Sequence, residues 1–171
     1  MSRAFVKEPD GDAVTDDAPE LPISPHPNHV TPAGLAALRQ ELDDLTDKRR
    51  ENLAVDDGIA TKLKIAAIER RQRYLVRRID SAIEHDPSTA DNDRVEFGAT
   101  VVVEDENGEP RTFTIVGEDE ADPTNHLISW TSPLARNLMN KVCGDDVRWV
   151  RPRGDAVLYV VSISYGGTSI A

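Results

Sequence analysis

The sequence predicts an α+β protein, with an N-terminal antiparallel helical hairpin (a coiled coil) followed by a small sheet domain. Three observations predict it. Apolar residues from Leu35 to Ala82 recur at alternating spacings of three and four, the period of a helix seam. Asp56-Asp57-Gly58 divides that seam in two. From Val95 onward the apolar period switches to two, the period of a strand.

Residues 1–29 hold five of the eleven prolines, few large apolar side chains and a net charge of −4. Such a segment buries too little to offset its ordering entropy, so a disordered or loosely docked acidic tail is expected. Thr31 suits a helix N-cap and Pro32 the first helical position. Leu35, Leu38, Leu42 and Leu45 then form one seam, and Ile65, Ile68, Gln72, Leu75, Ile79 and Ala82 a second. Two seams around a short turn predict antiparallel helices over 31–54 and 59–84, within a unit spanning 30–85. At 1.5 Å per residue this hairpin is about 35 Å long.

Residues 86–94 have linker composition. Val95, Phe97, Ala99, Val101 and Val103 alternate as a strand, and Asn107-Gly108 turns it into Thr112–Val116. Leu127–Thr131, Val147–Val150 and Val157–Tyr165 are further strands, and Ser132-Pro133 opens a short helix. The second domain therefore spans 95–171.

The 171 residues weigh 18.8 kDa and carry a formal net charge of −11, which by itself argues against nucleic-acid binding. The charge is unevenly spread. Residues 48–78 hold ten basic and four acidic side chains, a balance of +6 that leaves −17 for the rest. Arg70, Arg71, Arg73 and Arg77, with Arg78, crowd around Tyr74 with only Glu69 near enough for pairing along the helix. Such a face favours a partner that supplies negative charge, although charge runs on helices are also ordinary solvated faces.

Enzyme signatures are missing: there is no Gly-rich phosphate loop, no Gly-x-Ser-x-Gly elbow and no His-Glu-x-x-His. Cys143 is the only cysteine, expected as a semi-buried thiol, and the four histidines lack metal-ligand spacing. No apolar run reaches the ~18 residues that span a membrane, so a cytoplasmic protein is expected. The adjacent carboxylates Asp56 and Asp57 stand where the helices reverse. Asp is a common turn residue, yet a carboxylate pair can also complete the shell of a Mg²⁺ held mainly elsewhere.

Five motifs of the second domain stand in sequence: Val95-Glu-Phe-Gly-Ala-Thr-Val101, Ile115-Val-Gly-Glu-Asp-Glu-Ala-Asp122, Ile128-Ser129, Ser132-Pro-Leu-Ala-Arg136 and Lys141-Val-Cys-Gly-Asp-Asp-Val147. With the preceding helical hairpin, Thr31-Pro-Ala-Gly34 and the opening Met1-Ser-Arg-Ala-Phe-Val-Lys-Glu8, they resemble the Gre-factor family of bacterial transcript-cleavage factors. The resemblance implies an FKBP-like second domain that docks on the rim of the RNA polymerase secondary channel, through Asp122, Ser132 and Pro133. It implies that the helical hairpin enters that channel and that its basic face guides the RNA 3′ end. It also implies that tip carboxylates help hold a Mg²⁺ shared with the polymerase, which itself hydrolyses backtracked RNA. The protein would then be no enzyme and have no cofactor of its own.

The tip departs from the family pattern. Cleavage factors carry a Gly-Asp-x-x-Glu-Asn type tip, whereas this chain reads Val55-Asp-Asp-Gly-Ile-Ala-Thr-Lys-Leu-Lys64. The helical span is also shorter by about one turn per helix, or ~5 Å of reach. A cleavage-inactive inhibitor or regulator of the polymerase is therefore a second expectation. A regulator of another protein, such as a nucleoside diphosphate kinase, is a third, and a prolyl isomerase, suggested by fold analogy alone, a fourth.

Overall fold

A computed structural model describes residues 18–55, 58–86, 90, 93–151 and 154–166. The chain enters a short strand, β1 (Asn28–Val30), and then the helices α1 (Pro32–Val55) and α2 (Ile59–Asp80). It returns through β2 (Ala82–Glu84), which pairs parallel with β1 in the register Asn28↔Ala82 to Val30↔Glu84. The backbone N–H of His85 donates to Val30 O at 3.0 Å and extends this ladder. The two ends of the helical hairpin are thus zipped together at its root.

Two expectations change here. The N-terminal segment is not a tail up to residue 29, because Asn28 and His29 are strand and Asn28 is buried. The second helix stops at Asp80 instead of 84. The Ser81 hydroxyl donates to Arg77 O at 2.8 Å, and the strand partner waiting in β1 captures the next three residues. The seam otherwise packs as the spacing requires, with Leu35, Leu38 and Leu75 buried between the helices.

The second unit is a five-stranded sheet built from β3 (Thr100–Asp105), β4 (Pro110–Val116), β5 (Leu127–Ser129), β6 (Asp146–Trp149) and β7 (Ala156–Ser164), in the order β5-β4-β3-β7-β6. Only β4 and β5 pair parallel. A short helix, α3 (Pro133–Leu138), covers one face, burying Leu134, Ala135 and Leu138 against Val101, Ile115, Val147 and Leu158.

Local chemistry explains several features. The Asp105 carboxylate accepts from the backbone N–H groups of Asn107 (2.9 Å) and Glu109 (3.1 Å), and Gly108 takes φ +76°, closing the β3–β4 turn. The strand expected from Val95 begins only at Thr100, because Gly98 turns the chain at φ +85°. Val95 and Ala99 remain buried all the same. In β7 the buried side chains run Leu158, Val160, then Ile163, a change of phase. The ladder to β3 shifts register there, between Val102 and Val103, and this bulge keeps Ile163 on the core side. The Cys143 thiol is exposed, not semi-buried as expected.

Candidate functional site

Three regions contain the described residues among those singled out by sequence: the arginine face of α2, the joint at its root, and a groove on the sheet domain.

On α2 the arginines are not short of carboxylates. The Arg71 guanidinium grips Glu41 of α1 through two hydrogen bonds of 2.7 and 2.8 Å and stacks 4.9 Å from the centre of the Tyr74 ring. Arg49 of α1 donates to Glu69 of α2 at 2.7 Å. Arg73 donates to Glu20, at 2.6 Å from Nη2 and 3.0 Å from Nε. The expected scarcity of counter-charges is thus corrected: they come from the other helix and from the N-terminal segment, which spacing along one helix does not reveal. Arg70 and Arg77 flank Arg73 by one helical turn, and their fields with that of Arg73 act on Glu20. The hydrogen bond from Arg73 is the main cause that holds the Glu20 carboxyl below the usual range.

Arg78 leaves this face altogether. Its side chain is 2% exposed, and its Nε donates to Asp119 at 2.5 Å. Its Nη2 lies 3.6 Å from Glu118 Oε2, an ion pair too long for a hydrogen bond. The Tyr74 hydroxyl donates to the other Asp119 oxygen at 2.5 Å. Burial, followed by this bond, pushes the Tyr74 phenol up to about 12. Asn28 Nδ2 donates to the carbonyl of Arg78 at 2.6 Å.

Next to this clasp, the Glu120 carboxylate accepts from the backbone N–H of Thr31 (2.9 Å) and from its hydroxyl (2.5 Å). Gly34 and Gly117 make room for it: a Cβ on Gly34 would fall 1.9 Å from Glu120 Cδ, and one on Gly117 would fall 2.6 Å from His29 O. Two motifs that are separate in sequence, Thr31–Gly34 and Gly117–Glu120, are therefore one contact that fixes the helical hairpin to the sheet domain.

Three of the four histidines also meet at this joint. His29 Nδ1 and His85 Nε2 share a hydrogen bond of 2.7 Å, and His29 and His26 present edges to Trp130 with ring centres at 4.9 and 6.0 Å. Burial, then the neighbouring His85, holds the His29 imidazole below its ordinary value. Their sequence spacing hides this grouping, which depends on the β1–β2 pairing. Among the described residues no cluster of three or more His, Cys, Asp or Glu is arranged to hold a metal.

On the sheet domain a groove of about 730 Å³ is lined by Phe113, Ile128, Ser132, Pro133, Leu134 and Trp149 among others. Arg111 and Arg151 lie over the Trp149 ring, 5.6 and 4.8 Å from its centre. Ser132 caps α3 by accepting from Ala135 N–H at 3.2 Å, and Pro133 fills the first helical position. Asp122 caps a single 3₁₀ turn, accepting from Thr124 N–H (2.9 Å) and Asn125 Nδ2 (2.7 Å). Those bonds, that from Asn125 foremost, lower its pKa. Pro123, the next residue, lines the same groove. The fold therefore gathers Ser132, Pro133 and the Asp122 turn along one groove.

Asp56 and Asp57, the tip carboxylates, lie outside the described residues.

Residues 90–165 match a family model described as transcription elongation factor, GreA/GreB, C-terminal. Transcription elongation factor GreB of Neisseria meningitidis serogroup B is 37% identical over 153 residues, covering 81% of this chain and 94% of its own. The GreB of Pseudomonas aeruginosa is 37% identical over 150 residues, covering 80% and 89%. Among solved structures, GreA factor homolog 1 of Thermus thermophilus is 24% identical with a TM-score of 0.38, covering 81% of this chain and 99% of that one.

Proposed function

The chain belongs to the GreA/GreB family of transcription elongation factors, and from that premise we propose that it binds bacterial RNA polymerase and regulates elongation. The observation that carries the reading is the joint. A buried Arg78–Asp119 pair and the Glu120–Thr31 bonds fix a long helical hairpin to a domain bearing a separate apolar groove. A rigid link between a docking domain and a projecting arm lets binding at one end aim the other.

In this reading the groove, with Asp122, Ser132 and Pro133, docks on the polymerase. The apolar walls supply buried area, and the arginines over Trp149 supply a cationic rim. The helical hairpin enters the secondary channel, and Arg70, Arg71, Arg73 and Arg77 lie along the path of the RNA 3′ end, whose phosphates they attract. Asp56 and Asp57 approach the polymerase active centre, where they would share a Mg²⁺ that the polymerase holds. The bond-breaking step belongs to the polymerase, and this chain contributes position and charge. Such a protein works in the cytoplasm; no helix among the described residues is long and apolar enough to cross a membrane.

A second reading is favoured by one observation: Val55-Asp56-Asp57-Gly58-Ile59 lacks the Glu and Asn of the cleavage-type tip. Mg²⁺ requires near-octahedral ligands at short distances, so displaced carboxylates do not substitute for missing ones. The protein would then occupy the channel without promoting cleavage.

One assay tests both. A backtracked elongation complex is mixed with the protein and Mg²⁺, and RNA length and polymerase binding are followed together. Cleavage that disappears in the Asp56→Ala/Asp57→Ala variant supports the metal role, and binding without cleavage supports the second reading. Absence of binding overturns the proposal.

A further inference from the structure

Residues 18–27 run beside the helical hairpin without forming helix or strand. They are held at discrete points. Glu20 grips Arg73, the Ser24 hydroxyl donates to Glu118 at 2.9 Å, and His26 meets the edge of Trp130. From Asn28 the chain is anchored in β1. The outermost of these contacts lies on the arginine face of α2, and both side chains are about half exposed, Glu20 at 48% and Arg73 at 50%.

We propose that this segment is a displaceable strap, and that a single-stranded RNA competes with its carboxylate, Glu20, for the Arg73 guanidinium. The proposal rests on the reading that the arginines of α2 face RNA. A carboxylate and a phosphate engage a guanidinium through the same paired N–H geometry, so the two occupy Arg73 in turn. A half-exposed ion pair contributes little, weak enough to exchange. The anchor in β1 nevertheless keeps the carboxylate at high local concentration. A weak, isolated polyanion then meets an already paired arginine. A phosphate chain that also engages Arg70 and Arg77, one turn to either side, displaces the strap. The device would limit indiscriminate RNA binding by the basic element of an otherwise acidic chain.

The test uses the full-length chain as wild type, Glu20→Gln, Arg73→Gln and the double variant. Glu106→Gln, an exposed carboxylate in the β3–β4 turn, controls for net charge. The affinity for a fluorescent oligouridylate is measured by anisotropy over a series of salt concentrations. The strap predicts that Glu20→Gln tightens binding up to ~5-fold. It predicts that this gain shrinks as salt rises, because a screened Glu20–Arg73 pair competes less. On the Arg73→Gln background the Glu20 substitution should do nothing.

An effect of Glu20→Gln equal to that of Glu106→Gln, or one that persists without Arg73, overturns the strap. If Arg73→Gln weakens binding while Glu20→Gln is silent, only the strap falls. If Arg73→Gln is silent as well, or no variant binds RNA, the RNA-facing reading of α2 falls with it.

Discussion

At the root of the helical hairpin Leu75 and Arg78 are buried, whereas at its outer end Leu53, Val55 and Ile59 are 56%, 82% and 64% exposed. The root is held by charge-assisted bonds between elements far apart in sequence: Arg78 to Asp119, Tyr74 to Asp119, and Thr31 to Glu120. The outer half is held by half-exposed pairs within the helical hairpin, such as Arg49–Glu69. The contrast teaches where stability is invested. Two helices alone cannot bury both of their faces, so the outer end relies on its seam while the root borrows a third surface from the sheet domain. An arm built this way is aimed from its base.

Substitutions at the two ends should therefore differ sharply. Arg78→Ala should have the largest effect. It leaves the mostly buried Asp119 carboxylate, 12% exposed, without its cation, a loss of about 3 kcal/mol in urea unfolding. Gly34→Ala comes next, because its Cβ displaces the Glu120 carboxylate from Thr31. The lost charged hydrogen bonds outweigh the gain in helix propensity, for a net cost of about 1–2 kcal/mol in the same measurement.

Tyr74 makes the root sensitive to alkali. The folded protein holds the phenol proton up to about 12 against 10.0 ordinarily. Stability from this source is fully present below pH 10.0 and is lost as pH rises toward 12. Denaturation followed across that interval should show the decline in the wild type and a weaker one in Tyr74→Phe. At the outer end effects should be small. Glu69→Gln should cost under ~1 kcal/mol and lose even that at high salt, and Leu53→Ala should stay within about 0.5 kcal/mol. An outer-end substitution that costs as much as Arg78→Ala would break the comparison.

The same division governs what the sequence revealed. Features set by neighbours along the chain were legible. Leu35 and Leu38 repeat on one face of α1, Asn107-Gly108 closes a turn, and Ser132-Pro133 caps a helix. Features set by distant pairing were not. Strand β1 exists only because Asn28 finds Ala82, and α2 stops early for the same reason. The counter-charges of Arg71 and Arg73, Glu41 and Glu20, lie 30 and 53 residues away. Of the candidate site residues, Ser132 and Pro133 stood in a motif, and the fold places both along one groove. The contact between Thr31–Gly34 and Gly117–Glu120 was present as two motifs with nothing to join them. Glycines at both places were the available signal, since a close approach of two segments requires them.

The claim that the root aims a free outer end into the polymerase is tested most directly by cross-linking. A photoreactive residue replaces Leu53, which is exposed near the end of α1, and the full-length protein is bound to a backtracked elongation complex carrying labelled RNA. The account predicts adducts with the RNA 3′ end or the polymerase interior, lost when Arg78→Ala unfastens the root. Adducts confined to the outer surface of the polymerase, or none at all, would contradict it.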